Sequence, residues 1–236
     1  KFAKIDSIRE FQKRVPVINY KDIYPLIQKI HEGKQGLLTR DKVVYLGTTS
    51  GSSGAPKMIP VTKKRKSSFR KEGLLWTRYV LKKYPQIIQG KTLYLVGGEP
   101  HTIPRKAIEH ATVSKFLFNT APSFFRNGSS YPLPALDIRD YEQRMRVIAK
   151  YSIQENVSMI GFPFPLETIW LLKYIEEHRE DLIAEIRADG KKLMAKRLEK
   201  LPNFKAKTLW PKLSIINCID TVESEFHMQE LFKIIG

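Results

Sequence analysis

The sequence predicts an α/β fold, a mixed and partly parallel sheet covered by helices. Three observations carry it. Helical and strand-like segments alternate after residue 137, the order that builds parallel strands joined by helical crossovers. Two apolar runs, Val43-Val44-Tyr45-Leu46 and Met58-Ile59-Pro60-Val61, flank a Gly/Ser-rich stretch and read as strand, loop, strand. The chain has 236 residues, 42% of them hydrophobic, enough for one sizeable core.

The elements follow in order. Residues 20–32 read as a short helix with Tyr24, Ile27 and Ile30 on one side. The 43–61 hairpin comes next. Thr62 is placed to cap a helix toward Lys83, which Pro85 and Gly90 close off. Residues 92–96 form a compact strand ending at Gly97-Gly98, and 119–136, rich in Pro, Ser, Asn and Gly, form a loop. Asp137 or Asp140 caps a helix to about Gln154. Residues 157–161 are a strand, 166–178 an amphipathic helix and 191–201 another helix. Residues 215–219 read as a buried strand and 224–235 as a closing helix, with no internal repeat.

Residues 48–57, Thr-Thr-Ser-Gly-Ser-Ser-Gly-Ala-Pro-Lys, carry the most chemistry. Gly51 and Gly54 let the backbone approach a ligand closely. Successive N–H groups in such a loop form a concave anion site. Thr48, Thr49, Ser50, Ser52 and Ser53 add hydroxyls for phosphate oxygens, and Lys57 adds a compact positive charge. The common nucleotide loop is excluded: two residues, not four, separate Gly51 and Gly54, and Met58 follows Lys57. The dinucleotide fingerprint does not fit either. The bland alternative is a flexible Gly/Ser linker, which would not be clamped between two strand-like runs.

Every position from Leu46 to Lys57 fits the phosphate loop of adenylate-forming enzymes, which it resembles: apolar residue, two spacers, two small hydroxyl residues, Gly, two hydroxyl residues, Gly, any residue, Pro, Lys. The flanks narrow the resemblance. Phe11, Val15-Pro16, Tyr20 and Asp22-Ile23 match the entry segment of the acyl acid–amido synthetases, the auxin-responsive promoter family. Gly161-Phe162-Pro163, with Phe164 beside it, resembles the family's Gly-x-Pro-x-Trp region, and Trp210-Pro211-Lys212-Leu213 its Trp-Pro-x-Leu segment. The islands are collinear and run almost the full length of the chain.

The resemblance implies part of the large N-terminal domain of an adenylate-forming enzyme. It implies ATP-dependent activation of a carboxylic acid as acyl-adenylate, then conjugation to an amine such as an amino acid, with Mg²⁺ accompanying ATP. Thr49, Ser50, Gly51, Ser52, Ser53, Gly54 and Lys57 would bind the triphosphate, and Lys57 would offset charge on the departing pyrophosphate. Residues 1–236 are expected to be an N-terminal portion of a longer enzyme, inactive alone. Ser224-Glu225 lacks the preceding Tyr of the family's adenine-contacting motif and comes too early to be it, and Lys1 is not an initiator methionine.

Other residues weigh less. Glu99-Pro100-His101 ends a strand, where α/β ligand sites gather, but a structural or solvent-facing His101 is the default. His31, His101, His110, His178 and His227 show no metal-ligand spacing. The loop serines have no evident His/Asp partner for hydrolase chemistry. For Phe162, Phe164 and Trp170 an acyl-pocket lining is the alternative and aromatic core packing the default reading. Cys218, the one cysteine, reads as a buried structural residue compatible with a reducing cytoplasm, the expected location. No apolar run approaches a membrane helix, and no membrane partner is expected.

The charge is +17, with Lys+Arg 41 against Asp+Glu 24. Basic residues cluster at 63–83 and 191–212. The alternatives are a nucleic-acid-binding module, with a noncatalytic remnant of the synthetase fold as a third reading, or solvated helix faces whose field also draws ATP inward. Trp76 and Tyr79 fall at helical spacing with Leu75 and Val80, a buried stripe rather than a base-stacking platform. Nucleic-acid binding is therefore predicted to be weak and nonspecific. Affinity for random duplex DNA, measured by fluorescence anisotropy, should collapse toward physiological salt because binding releases counterions. Tight, sequence-selective binding at that salt would instead favour the nucleic-acid module.

Overall fold

The computed structural model describes residues 5–49, 56–95, 106–121, 126–161, 164–218 and 225–235. In chain order these form α1 (Ile8–Arg14), α2 (Tyr20–His31), β1 (Val43–Thr49), β2 (Lys57–Thr62), α3 (Lys63–Lys83), β3 (Lys91–Tyr94), β4 (His110–Thr112), α4 (Val113–Thr120), α5 (Tyr141–Ser152), β5 (Val157–Gly161), α6 (Pro165–Glu177), α7 (Arg179–Ala188), α8 (Lys192–Glu199), α9 (Ala206–Leu209), β6 (Ile215–Asn217) and α10 (Glu225–Ile235). Short 3₁₀ turns cover Pro85–Gln89 and Leu133–Asp137. The strands form two three-stranded sheets, β2-β1-β4 and β3-β5-β6. The chain divides into two compact units. The first holds Lys1–Lys63 and Thr102–His110, the second Lys64–His101 and Ala111–Gly236.

In the first unit, β1 and β2 pair antiparallel as the hairpin reading predicts. Helix α2 opens with a capping box. Asn19 accepts the Lys21 N–H at 2.8 Å, and Asp22 accepts the Asn19 N–H at 2.8 Å. It ends with Gly33 at φ +102°, where the Gly33 N–H reaches the Ile30 carbonyl and the Lys34 N–H the Lys29 carbonyl. Only glycine adopts this left-handed closing conformation without Cβ strain. Ile27 and Ile30 then pack on Val43, Leu46 and Met58, with Ile23 alongside. Gln35 holds the start of β1 from both sides, accepting the Val43 N–H and donating to its carbonyl.

The second unit is built on β5. All five of its residues are buried, and parallel neighbours β3 and β6 satisfy its backbone. Leu93, Val157 and Ile160 join the large core made by α5 to α9, while Met159 packs with Val80 and Ile87. The partly parallel sheet expected from helix–strand alternation is thus present.

Several boundaries differ from the sequence reading, each for a physical reason. On α3 the buried side chains are Thr77 and Val80, with Trp76 partly covered. Leu75 and Tyr79 are each 67% exposed, because the helix carries two apolar stripes one residue out of phase and only one meets the core. The strand expected at 215–219 spans Ile215–Asn217 and is half-exposed, since β6 is the edge of its sheet among the described residues. Cys218 is likewise half-buried, its Sγ 3.6 Å from Met228 Sδ. Asp140 caps α5 by accepting the Gln143 N–H, whereas Asp137 pairs with Lys115. Helix α4 and a 3₁₀ turn occupy parts of the expected 119–136 loop. Helix α7 follows α6 with only His178 between them, so no Gly or Pro marked the break. The basic side chains of α3 and α8 face solvent, matching the solvated-face reading. Residues 96–101, 162–163, 219–220 and 224 lie outside the described residues.

Glu167, in the first turn of α6, was not singled out by sequence. It accepts the Phe164 N–H, as a capping-box glutamate does, but its Oε2 is buried without a partner among the described residues. Burial pushes its carboxyl up to about 6, against the smaller opposing effects of the Phe164 N–H and Arg144. A raised carboxyl favours folding below the unfolded value and loses that advantage as pH rises through about 6. Glu167→Gln should therefore gain on the parent between pH 4.5 and 6.5 (both approximate), reaching about 1 kcal/mol after allowance for partial exposure. Urea denaturation of both proteins across that range tests this. A gap independent of pH would mean Glu167 does not titrate as placed.

A second expectation concerns Gly161. A Cβ there would lie 2.7 Å from Tyr94 Cδ1, because the Tyr94 ring crosses over the glycine. Gly161→Ala should lower stability by about 1–3 kcal/mol through overpacking, read by the same denaturation.

Candidate functional site

The hairpin of the first unit brings two of the predicted site residues together. Thr49 ends β1, Lys57 begins β2, and the two are cross-strand partners at the mouth of the loop. The register continues inward through Thr48 with Met58 and Gly47 with Ile59. Ser50, Gly51, Ser52, Ser53 and Gly54 lie outside the described residues. Because side chains alternate along a strand, Thr48 and Thr49 face opposite ways. Thr48 is buried, with no partner for its hydroxyl among the described residues, and Thr49 is half-buried.

Lys57 does not stand alone. Its ammonium lies 5.8 Å from the centre of the Tyr20 ring, near enough for a cation–π attraction. The Tyr20 hydroxyl accepts the Met58 N–H at 2.8 Å and donates to the Met58 carbonyl at 3.3 Å. This one side chain therefore replaces both hydrogen bonds of a strand residue and fixes β2 immediately beside Lys57. Burial raises the Tyr20 phenol above its usual value, partly offset by the Met58 bond, so the hydroxyl stays protonated and available as a donor. Tyr20 occupies the first turn of α2, directly after the Asn19 cap. The sequence marked Tyr20 as part of a motif but gave it no task; only the packing of α2 on β2 shows that it grips the strand carrying Lys57.

Deeper in this unit His31 and His110 meet edge to face, with ring centres 5.1 Å apart, and both are buried. Burial, then His110 and Lys106, hold His31 below its usual value, which keeps it neutral. Among the described residues no group of three His, Cys, Asp or Glu side chains forms a metal cage. The donors around the loop mouth are hydroxyls and an ammonium, suited to phosphate oxygens.

In the second unit the other two motif islands have structural tasks. Gly161 makes room for Tyr94, whose carbonyl accepts the Tyr131 hydroxyl and whose ring meets Phe118 at 5.4 Å. Burial pushes Tyr94 up to about 12 and raises Tyr131 as well. Trp210 is fully buried and donates from Nε1 to the Ser152 carbonyl at 3.0 Å. The Leu213 N–H returns to the Trp210 carbonyl, and the Ser214 N–H bonds to Ser158 at the start of β6. Phe164 and Trp170 are each about half exposed, so core packing does not account for them; Phe162 lies outside the described residues. Helix α1 buries none of its residues, and Phe11 is exposed.

Comparison with known proteins places the chain in a family. Indole-3-acetic acid-amido synthetase GH3.15 of Arabidopsis thaliana is 27% identical over 187 residues, which are 76% of this chain and 31% of that protein. Indole-3-acetic acid-amido synthetase GH3.17 of the same plant is 25% identical over 191 residues, 76% of this chain and 31% of that protein. The chain thus spans about a third of the length of the curated relatives it matches. Among solved structures, the GH3.15 acyl acid amido synthetase superposes with a TM-score of 0.76 at 22% identity, covering 98% of this chain and 45% of that one. A second structure, AtGH3.15 acyl acid amido synthetase in complex with 2,4-DB, gives 0.73 at 22% identity over 97% of this chain and 45% of that one. At that identity the likeness establishes the fold. The GH3 family N-terminal domain matches residues 1–236 without remainder, and the chain belongs to the GH3 family.

Proposed function

We propose that this chain is the nucleotide-holding portion of an ATP-dependent acyl acid–amido synthetase. Residues 1–236 are read as an N-terminal portion of the large domain, acting within a longer protein. The carrying observation is the pairing of Thr49 with Lys57 across the mouth of the Gly/Ser loop, with Tyr20 gripping the adjacent backbone. Thr49, Ser50, Gly51, Ser52, Ser53 and Gly54 supply hydroxyl and backbone donors to the triphosphate, and Lys57 supplies the cation. The substrate carboxylate attacks the α-phosphorus of ATP and pyrophosphate departs. The resulting acyl-adenylate then passes its acyl group to an amine, with AMP leaving. Lys57 lowers the barrier by offsetting charge that grows on the leaving pyrophosphate. Tyr20 acts as a positioning residue: it keeps Lys57 in register rather than touching phosphate.

The names of the relatives support an acid joined through an amide, and an amino acid is the amine this reading assigns. Mg²⁺ accompanying ATP would neutralise phosphate charge, while Thr49, Ser50, Ser52, Ser53 and Lys57 orient the oxygens.

Two substitutions test the reading. Lys57→Ala should weaken ATP binding to residues 1–236 by about 10- to 100-fold in titration calorimetry, the value of one charge-assisted contact. In a longer protein it should also slow pyrophosphate exchange. Unchanged affinity in a folded variant would remove Lys57 from the site, and absence of ATP binding by the longer parent protein would favour a noncatalytic remnant. Tyr20→Phe leaves the Met58 N–H without its partner and should cost about 1–3 kcal/mol of stability. It should also weaken ATP binding by a smaller factor than Lys57→Ala, consistent with an indirect role.

A further inference from the structure

We propose that the outward face of α3 docks on an anionic lipid bilayer surface. The helix carries nine Lys or Arg residues against one carboxylate, Glu72. Its inward side is anchored, with Val80 and Trp76 packed against Ile87 and Met159. Opposite lies a stripe at helical spacing, Lys71, Leu75, Arg78 and Lys82, with Leu74 and Tyr79 on its flanks. Leu74 is 48% exposed, Leu75 and Tyr79 67% each, and the three cations' positions face solvent. Large apolar side chains are thus presented to water inside a strongly positive field, on a helix whose other side cannot turn away.

Charge complementarity selects an anionic partner, and the apolar residues select which one. Two leucines have no face on which a base can stack and no group to pair with a phosphate. At a bilayer the same residues enter the acyl boundary, the tyrosine ring sits at headgroup level, and the cations remain among the phosphates. None of the described helices is long and apolar enough to cross a membrane, so the contact is a helix lying on the surface. Exposed cations alone would give the weak, salt-sensitive adhesion common to basic proteins. The leucines add a component that salt does not screen.

The test is vesicle sedimentation of residues 1–236 with phosphatidylcholine alone and with phosphatidylcholine mixed with phosphatidylserine. Partitioning should be at least about tenfold stronger onto the anionic vesicles, and part of it should survive physiological salt. Lys71→Glu with Lys82→Glu should abolish the preference. Leu75→Ser with Tyr79→Ser should reduce binding by about tenfold and remove the salt-resistant part, with circular dichroism confirming that both variants fold. If the Leu75/Tyr79 variant binds as the parent does, the interaction is plain electrostatic adhesion and the proposal fails. It fails equally if duplex DNA at matched phosphate displaces the protein from the vesicles and depends on the same apolar residues.

Discussion

Complete burial of β5 is the constraint on which the larger unit depends. Five consecutive backbone units without water must find hydrogen bonds on both edges, and the flanking strands β3 and β6 provide them. Both faces must also be covered by apolar side chains, which sets the helices around the sheet. Even its polar residue is accommodated: Ser158 donates to the Ile87 carbonyl at 2.6 Å, joining β5 to the turn that precedes β3. Gly90 belongs to the same arrangement, since a Cβ there would lie 2.7 Å from Ser158 Cβ.

The motif islands that identify the family acquire separate physical meanings. Gly161 is a steric allowance for Tyr94. Trp210 anchors the turn that delivers β6, through Ser152, whose hydroxyl also meets Ser130 at 3.0 Å. Tyr20 ties α2 to β2. None of these three has the character of a reacting group; each fixes backbone. The proposed chemistry is assigned to the loop between Thr49 and Lys57. The proposed function calls for such a division, because a misplaced cation offsets little of the developing charge.

The positive charge belongs to particular faces rather than to the core. Basic residues on α3 and α8 point outward, while buried ionisable groups are few and shifted toward neutrality, as Glu167 and His31 show. Ion pairs such as Lys150 with Asp189 and Lys106 with Glu32 lie at helix ends and between surface segments, where each contributes little on its own. The excess cations therefore bear on what the surface attracts more than on how the chain folds.

The sequence by itself determined the family, the hairpin around the Gly/Ser loop, the parallel character of the second sheet and most helix positions. These are local properties: glycine and hydroxyl spacing, apolar period, and a cap at Asp137 or Asp140 act within a few residues. It could not decide which of two adjacent apolar stripes on α3 is buried, because 75/79 and 76/80 have identical spacing and only the position of Ile87 and Met159 separates them. Nor could it show that Tyr20, 37 residues before Lys57, grips the strand beside it, or that Glu167 is buried short of a partner. Ile215 and Cys218 read as core from their apolar neighbours, yet β6 is an edge among the described residues. Such outcomes depend on which surfaces meet across long stretches of chain, and the pattern of a single segment carries no record of its distant neighbours.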